Sequence, residues 1–421
     1  MRLSNLIKKK QPLLLASALA LSVCASSFLW FSPKTELIGK DFAVAEKQYT
    51  QMLTTAKDLK LFPRTTNPDG SVKYTDVHDW TGGFFPGGLW YLYEYTGDAK
   101  WKAAAEQWTA ALEEGKYNTV HHDVGFVMYC SYGNGLRLTN NPAYKDILIQ
   151  SAESLCSRYD AKVGSIKSWN PKLSWDKKTM WKYPVIIDNM MNLELLFYAS
   201  KVTGNPKYKD IAVSHALNAM RDHVRKDYSS YHVINYDAQT GKVLNSQTNQ
   251  GYSDNSTWAR GQAWGIYGFT MVYRETKDKR FLETARKMAD FYLKNSNLPK
   301  DKIPYWDFNV NQKGYQPDWN YDATKFAVVP RDVSAASVVT SALFELSTYL
   351  GKGGKLYYQQ AEQMINSLSK APYLAEPGTN AGFILKHSVG SIPHTSEIDV
   401  PLIYADYYFL EALLRYKKLK G

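Results

Sequence analysis

One short phrase recurs five times along this chain, and it limits the possible folds more than any other feature. It reads YEYTGDAKWKAAAE from residue 93, LRLTNNPAYKDILIQSAE from 136, ASKVTGNPKYKDIAVSHA from 199, YRETKDKRFLETARKMA from 273 and STYLGKGGKLYYQQAEQM from 347. Each copy reads as the end of one helix, a tight turn and the start of another. A Thr followed by Gly, Asn or Asp stops the first helix, and an aromatic residue early in the second packs back onto it. The chain is therefore a series of helical hairpins.

Apolar residues at three- and four-residue spacing on both sides of these turns predict helices over 83–96, 99–113, 123–137, 142–158, 187–202, 205–224, 257–275, 278–294, 332–349 and 354–370. A first helix over 42–57 and a last one over 398–416 bring the total to twelve. Twelve helices in antiparallel pairs are what an all-α (α/α)6 toroid, a six-hairpin barrel, requires: six inner helices line the core and six outer ones cover them. A superhelical solenoid also uses hairpins, but with a more regular repeat than the 43 to 75 residues that separate successive turns here. The long stretches 159–186, 225–256, 296–331 and 371–397 each precede the first helix of a pair. They are predicted to gather at one mouth of the ring, where long loops carry function.

The N-terminus, MRLSNLIKKK followed by QPLLLASALALSVCASSFLWFS, reads as an export signal over residues 1–25. Two other readings rank below it: lipidation at Cys24, although Val23 is a poor residue before such a cysteine, and an uncleaved membrane anchor, for which the apolar run 13–31 is long enough. The protein is thus expected in the periplasm or cell envelope of a bacterium, touching membrane only through that N-terminus. Residues 40–421 carry no Pro/Gly/Ser linker and read as one domain. Four of the eleven net positive charges lie in the signal, which leaves +7. That excess suits an anionic ligand; without a Lys/Arg cluster or a basic helix face it does not suit nucleic acid, and no protein partner is indicated. Cys130 and Cys156, both in apolar helical patterns, read as buried thiols. The 31 Tyr and 12 Trp exceed what an ordinary core needs and fit a cleft where rings stack on sugars.

Unusual side chains stand just before, or in the first turn of, successive inner helices. They are Asp79 and Trp80 in HDWTGGFFPGG, Asp123 in HHDVGF, Asp188 in IIDNMMNLELL, and Arg260, Gln262 and Trp264 in DNSTWARGQAWG; then Arg331 and Asp332 in VPRDVSAAS, and Glu397 and Asp399 in TSEIDVPLIYADYY. Taken singly, each aspartate reads as a helix N-cap. Asp188 does so least, because Ile186, Ile187, Met190, Met191 and Leu193 surround it; such burial raises a carboxyl pKa, as a group that donates and then accepts a proton near neutrality requires. Asp123 starts an adjacent inner helix, so both carboxylates can face one pocket, as glycosidases demand. Arg260 reads either as a salt bridge to a neighbouring inner-helix acid or as a fork for a substrate carboxylate. Trp80, Trp169 and Trp264 read as core or stacking platforms, Trp169 most clearly a platform; His232 reads as a hydrogen-bond donor to a ligand, and His121 and His122 as flanks of the Asp123 turn. No metal-ligand spacing, phosphate loop or nucleophile elbow is present, so neither metal nor cofactor is expected.

The segments HHDVGF, IIDNMMNLELL, NQGYSDNSTWARGQAWGIYGF, RDVSAASVVTSALFEL and HSVGSIPHTSEIDVPLIYADYYFLEALLRY, spread in order from about residue 40 to the C-terminus, resemble glycoside hydrolase family 88, the unsaturated glucuronyl hydrolases. The resemblance implies a partner with a 4,5-unsaturated uronic acid at the non-reducing end, the product of a polysaccharide lyase acting on glycosaminoglycans. It implies hydration of the enol ether, with Asp188 protonating C4 and then deprotonating the water that adds at C5, and with Asp123 holding the ring and tuning Asp188. It places Trp80, Trp169, His232, Gln250, Arg260 and Trp264 against the unsaturated residue. Members that accept sulfated substrates carry Ser, Ser and Lys where this chain has Ser388, Ser391 and Pro393. That departure argues against a strong preference for sulfated units, with Lys386 and His387 left to compensate.

Three rival readings share these features. An unsaturated rhamnogalacturonyl hydrolase would use the same toroid and chemistry on pectin fragments. A sugar isomerase or epimerase would use the toroid with a histidine pair, against which the eight His in the chain argue. A non-catalytic oligosaccharide-binding protein would need the aromatic mouth but not two buried acids.

Overall fold

The computed structural model describes residues 33–174, 176–317 and 319–419, so the signal, lipid and anchor readings of the N-terminus lie outside the described residues. Its helices are α1 (Pro33–Thr55), α2 (Phe84–Thr96), α3 (Ala99–Ala110), α4 (Val124–Met128, a π turn Tyr129–Gly133, then Asn134–Thr139) and α5 (Pro142–Cys156). There follow α6 (Leu193–Thr203, entered through a 3-10 turn Ile187–Asn192), α7 (Pro206–Asp222), α8 (Ala259–Thr276), α9 (Lys279–Lys294), α10 (Val333–Ser347), α11 (Gly354–Leu368) and α12 (Ile403–Lys418). With α4 counted once, these twelve make the (α/α)6 toroid. Helices α2, α4, α6, α8, α10 and α12 form the inner ring, which closes where α12 packs on α2.

The recurring phrase folds as a doubly locked turn. In Thr96-Gly97-Asp98 the Thr96 hydroxyl donates to the Leu92 carbonyl at 2.7 Å and accepts from Asp98 N, while the Asp98 carboxylate accepts from Lys100 N at 2.9 Å to cap α3. The same three bonds recur at Thr139-Asn140-Asn141, Thr203-Gly204-Asn205 and Thr276-Lys277-Asp278. The middle residue is left-handed in all four, with φ of 71°, 56°, 71° and 58°, which explains Gly at two of them and Asn at a third. Burial separates the rings. In α8 every residue from Ala259 to Val272 is buried, whereas in α9 only Phe281, Thr284, Ala285, Met288, Ala289 and Tyr292 are, a one-faced stripe.

Two boundaries differ from the sequence reading. Helix α1 starts nine residues earlier, at Pro33. Helix α12 starts later, at Ile403, because Ser396–Val400 is a strand paired with Ser388–Ser391. Glu397 and Asp399 there have φ of 56° and 57°, and Pro401 disfavours a helix before it. The four long stretches do meet at one mouth, with a fifth element the sequence reading omitted, the hairpin Phe62–Thr66/Val72–Thr75.

Candidate active site

That mouth encloses a cleft of about 330 Å³ into which Trp80, Asp123, Trp169, Asp188, Gln250 and Arg260 face. Asp188 is the second residue of the 3-10 turn that opens α6, and its side chain is 13 % exposed. Strand pairing brings it there: Pro184–Ile186 runs against Val233–Tyr236, and Ile187 N donates to the His232 carbonyl at 3.1 Å. Burial pushes its pKa up to about 7, helped by the charge of Asp123 and opposed by Arg260, its own backbone N–H and the Trp264 indole. Its Oδ2 has no hydrogen-bond partner among the described residues and lies 3.7 Å from His232 Nε2.

The pKa of His232 is held well below the ordinary imidazole value, first by burial and then by the neighbouring His223, Arg260, His394 and Lys172, and its Nδ1 accepts from both Asn249 N (3.2 Å) and Gln250 N (3.3 Å). Its proton therefore sits on Nε2, the nitrogen facing Asp188. The ring is stacked on Trp258 at 4.4 Å.

Asp123 occupies the N-cap position of α4 but makes no capping bond; Asn192 supplies it instead, with Oδ1 accepting from Phe126 N at 2.7 Å. Gly125 permits this approach, since a Cβ there would stand 2.6 Å from Asn192. The Asp123 carboxylate is thereby left to the cleft, with His122 Nε2 at 3.2 Å and His121 Nδ1 at 3.3 Å. Burial alone would raise its pKa, yet His122, His121 and Asn192 together hold it below the ordinary carboxylate value. Two carboxyl groups in one cleft, one protonated up to neutrality and the other ionised, have the separated roles that acid/base chemistry on a sugar needs.

The N-cap reading does hold for Asp332, which accepts from Ser334 N at 3.1 Å and also takes Arg260 at 2.7 Å, both side chains fully buried. Arg260 also donates to the Val389 and Gly390 carbonyls while lining the cleft, so the salt-bridge reading describes most of its donors. Trp80 and Trp169 line the cleft. Trp264 does not: it is core, beneath Asp188 and edge-on to Phe126 at 5.3 Å. Gln250 is tied to Gly390 O at 3.0 Å. Ser391 reaches the cleft, its Oγ 2.6 Å from His394 Nδ1, but Ser388 is fully buried and turned away from it, and His387 pairs outside it with Asp399 at 2.6 Å. Among the described residues no three His, Cys, Asp or Glu are placed to hold a metal ion.

The sequence reading missed Arg64, which enters the cleft from the first hairpin clamped between Asp79 and Glu397, and did not assign Trp258, Asn249, His394 or Tyr404 to the site. Arg64 could have been suspected from its strand FPRTT alone only weakly, because its partners lie 15 and 333 residues away.

A helical toroid that turns a protonated and an ionised carboxyl group into an aromatic cleft defines a glycan-cleaving enzyme. Comparison with known proteins narrows this class. The model of Glycosyl Hydrolase Family 88 matches residues 54–303. An unsaturated glucuronyl hydrolase of Formosa agariphila is 44 % identical over 398 residues, 94 % of each chain, and one of Bacillus sp. (strain GL1) is 35 % identical over 86 % of this chain and 94 % of that one. The crystal structure of an unsaturated glucuronyl hydrolase specific for heparin superposes with a TM-score of 0.83 at 47 % identity, covering 91 % of this chain and 98 % of that one. The chain belongs to glycoside hydrolase family 88.

Proposed function

We propose that this enzyme removes a 4,5-unsaturated glucuronic acid from the non-reducing end of lyase-generated glycosaminoglycan oligosaccharides by hydrating its double bond. The observation that carries the proposal is Asp188: a carboxyl group with a pKa of about 7, an unpartnered Oδ2 at the cleft, and ionised Asp123 in the same cleft. The names of the relatives support the substrate class, and one of them, in Streptococcus pyogenes serotype M1, is an unsaturated chondroitin disaccharide hydrolase.

Protonated Asp188 delivers its proton to C4 of the enol ether, which leaves positive charge shared between C5 and the ring oxygen. Water adds at C5 and gives its proton to the Asp188 carboxylate, so the group ends as it began. The C5 hemiketal then opens, and the hemiacetal left at C1 releases the second sugar. Asp123, ionised throughout, holds the ring hydroxyls and, by its charge, keeps the proton on Asp188. His232 Nε2–H faces the same space and can donate to the incoming water or the ring. Trp80 and Trp169 stack on the sugars, with Gln250, Arg260 and Ser391 as polar contacts. Residues 40–421 act as one catalytic domain, exported on the signal at 1–25 to the periplasm or cell envelope.

The test is loss of the ultraviolet absorbance of the conjugated uronate on incubation with unsaturated chondroitin, hyaluronan and heparin disaccharides. Loss on any of them is expected, and the ranking names the parent polymer. No loss on any, with loss on pectin-derived disaccharides, would replace the proposal by the rhamnogalacturonyl reading.

A further inference from the structure

The cations of the cleft divide into those already neutralised and one that is not. Arg64 is held between Asp79 and Glu397, and Arg260 is paired with Asp332. The Lys172 ammonium has neither a hydrogen bond nor an ion pair among the described residues, and no carboxylate offsets the desolvation that lowers its pKa. It sits on the short strand Lys172–Leu173, paired with Met180–Trp181. From there its ammonium stands 4.2 Å from the ring of Trp169 and 5.9 Å from that of Trp181, and these two indoles are stacked at 6.0 Å. Trp169 lines the cleft. On the same rim the Ser391 hydroxyl and His394 Nδ1 are 2.6 Å apart, and His394 is held neutral by its burial and then by the Lys172 charge. The charge of Lys172 also reaches His232 beside Asp188.

Asp188 is nearly buried in the cleft, whereas Lys172 is exposed just outside its lining with its ammonium over Trp169, so a disaccharide whose unsaturated ring sits on Asp188 and whose second sugar reaches outward along Trp169 and His394 comes to Lys172. We propose that Lys172, supported by the Ser391–His394 pair, binds a sulfate group on that second sugar, supplying from the 172–181 hairpin the cation that Pro393 does not. The assignment rests on the hydrolase reading for the position of the unsaturated ring. An indole under the ammonium fixes its position without neutralising it, leaving the charge for an anionic group.

The experiment compares kcat/KM on unsaturated disaccharides that differ only by one sulfate on the second sugar, for the wild type, Lys172→Met and Lys172→Arg. Lys172→Met is expected to lower the sulfated-over-unsulfated ratio about fivefold, the scale of a partly exposed ion pair, and Lys172→Arg to restore most of it. A wild type indifferent to the sulfate, or a Lys172→Met variant with an unchanged ratio, overturns the assignment while the hydrolase reading stands. Failure of the hydrolase reading is separately visible as no absorbance loss by the wild type on any unsaturated disaccharide. In that event calorimetric titration with the same pairs decides: loss of a sulfate-dependent gain in affinity on Lys172→Met supports the assignment, and its persistence or absence in both proteins overturns it.

Discussion

The two mouths of this toroid are built from similar residues and differ in what those residues leave undone. The far mouth, at the opposite end of the inner ring, holds a cavity of about 480 Å³ lined by tyrosines and by Glu94, Arg137, Glu194, Arg274, Glu411 and Arg415. Every charge there is spent: Arg274 binds Glu194 and Glu345, Arg415 binds Glu345 and Glu411, and Arg137 binds Glu94. No buried side-chain polar atom of its lining lacks a partner among the described residues. Between the mouths lies an aromatic plug in which Phe126 touches Phe84 at 5.5 Å and Trp264 at 5.3 Å, and Phe126 lines both cavities. At the loop-lined mouth, Asp188 Oδ2, His232 Nε2 and Asn249 Oδ1 are buried without a partner. A balanced ion-pair network closes a structure; polar atoms left unpaired inside a formed cleft await a ligand. Cavity size alone would have chosen the wrong end.

This difference can be broken most sharply at Asp188. Asp188→Asn keeps the shape of the protonated group and removes its proton, and is expected to cost about 10³- to 10⁴-fold in kcat with circular dichroism unchanged. Activity within tenfold of wild type would remove Asp188 from the chemistry. For the intact enzyme, kcat/KM is expected to fall as pH rises through about 7, because the acid must be protonated to act. Asp123→Asn is expected to cost about 10²-fold and, by removing a negative charge that raises the Asp188 pKa, to shift this alkaline fall to lower pH. A pH profile that keeps its midpoint would mean that Asp123 binds substrate without tuning its neighbour.

At the far mouth the expected response is the opposite. Glu345→Gln leaves Arg274 and Arg415 without their shared carboxylate. Removing one member of a buried network costs several kcal/mol, and because Arg274 is about a quarter exposed the expected loss is about 2–3 kcal/mol, read as a lower urea midpoint. The folded variant should retain the wild-type kcat/KM. A specific loss of activity without loss of stability would show that the far cavity communicates with the cleft through the plug.

What the sequence disclosed about these two ends follows from the range of the interactions involved. The hairpin turns were legible because four of the five are closed within a few residues by a Thr hydroxyl, a left-handed residue and an Asp or Asn cap, while the fifth, after Ser347, runs through Gly351–Gly353 with no side-chain cap. Asp188 was legible because its own neighbours bury it. Asp123 resembled a cap, and only the distant Asn192, brought in by Gly125, frees its carboxylate. Arg64 and the rim position of Lys172 depend on hairpins meeting across the ring, and Ser388 and Trp264 looked like cleft residues because sequence does not say which face of a strand or helix turns inward. The double bond of the substrate was accessible only through resemblance to a family, since no side chain in the cleft is peculiar to an enol ether.

The smallest expected effect compares the two ends by stability alone. The Asp188 carboxyl holds its proton up to about pH 7 in the folded chain and to about 3.8 in the unfolded one, so the folded state binds more protons between those values and unfolding free energy falls as pH rises through that window. Asp41, raised to about 7, and Asp406, raised to about 8, act in the same direction, so the wild type should lose stability from pH 5 to pH 8 for several reasons at once. Asp188→Asn isolates one of them. The variant is neutral in both states, so it should already be the more stable of the two at pH 5, where the unfolded wild type is ionised, and its margin should widen by on the order of a further 1–2 kcal/mol by pH 8, allowing for partial access of water to the open cleft. Glu345→Gln has no such dependence over this range, because its carboxylate is held below the ordinary value and stabilises the fold at both pH values. Equal melting of Asp188→Asn and wild type at pH 8 would mean that the cleft does not raise the Asp188 pKa, and would take with it the reason for assigning the proton donor there.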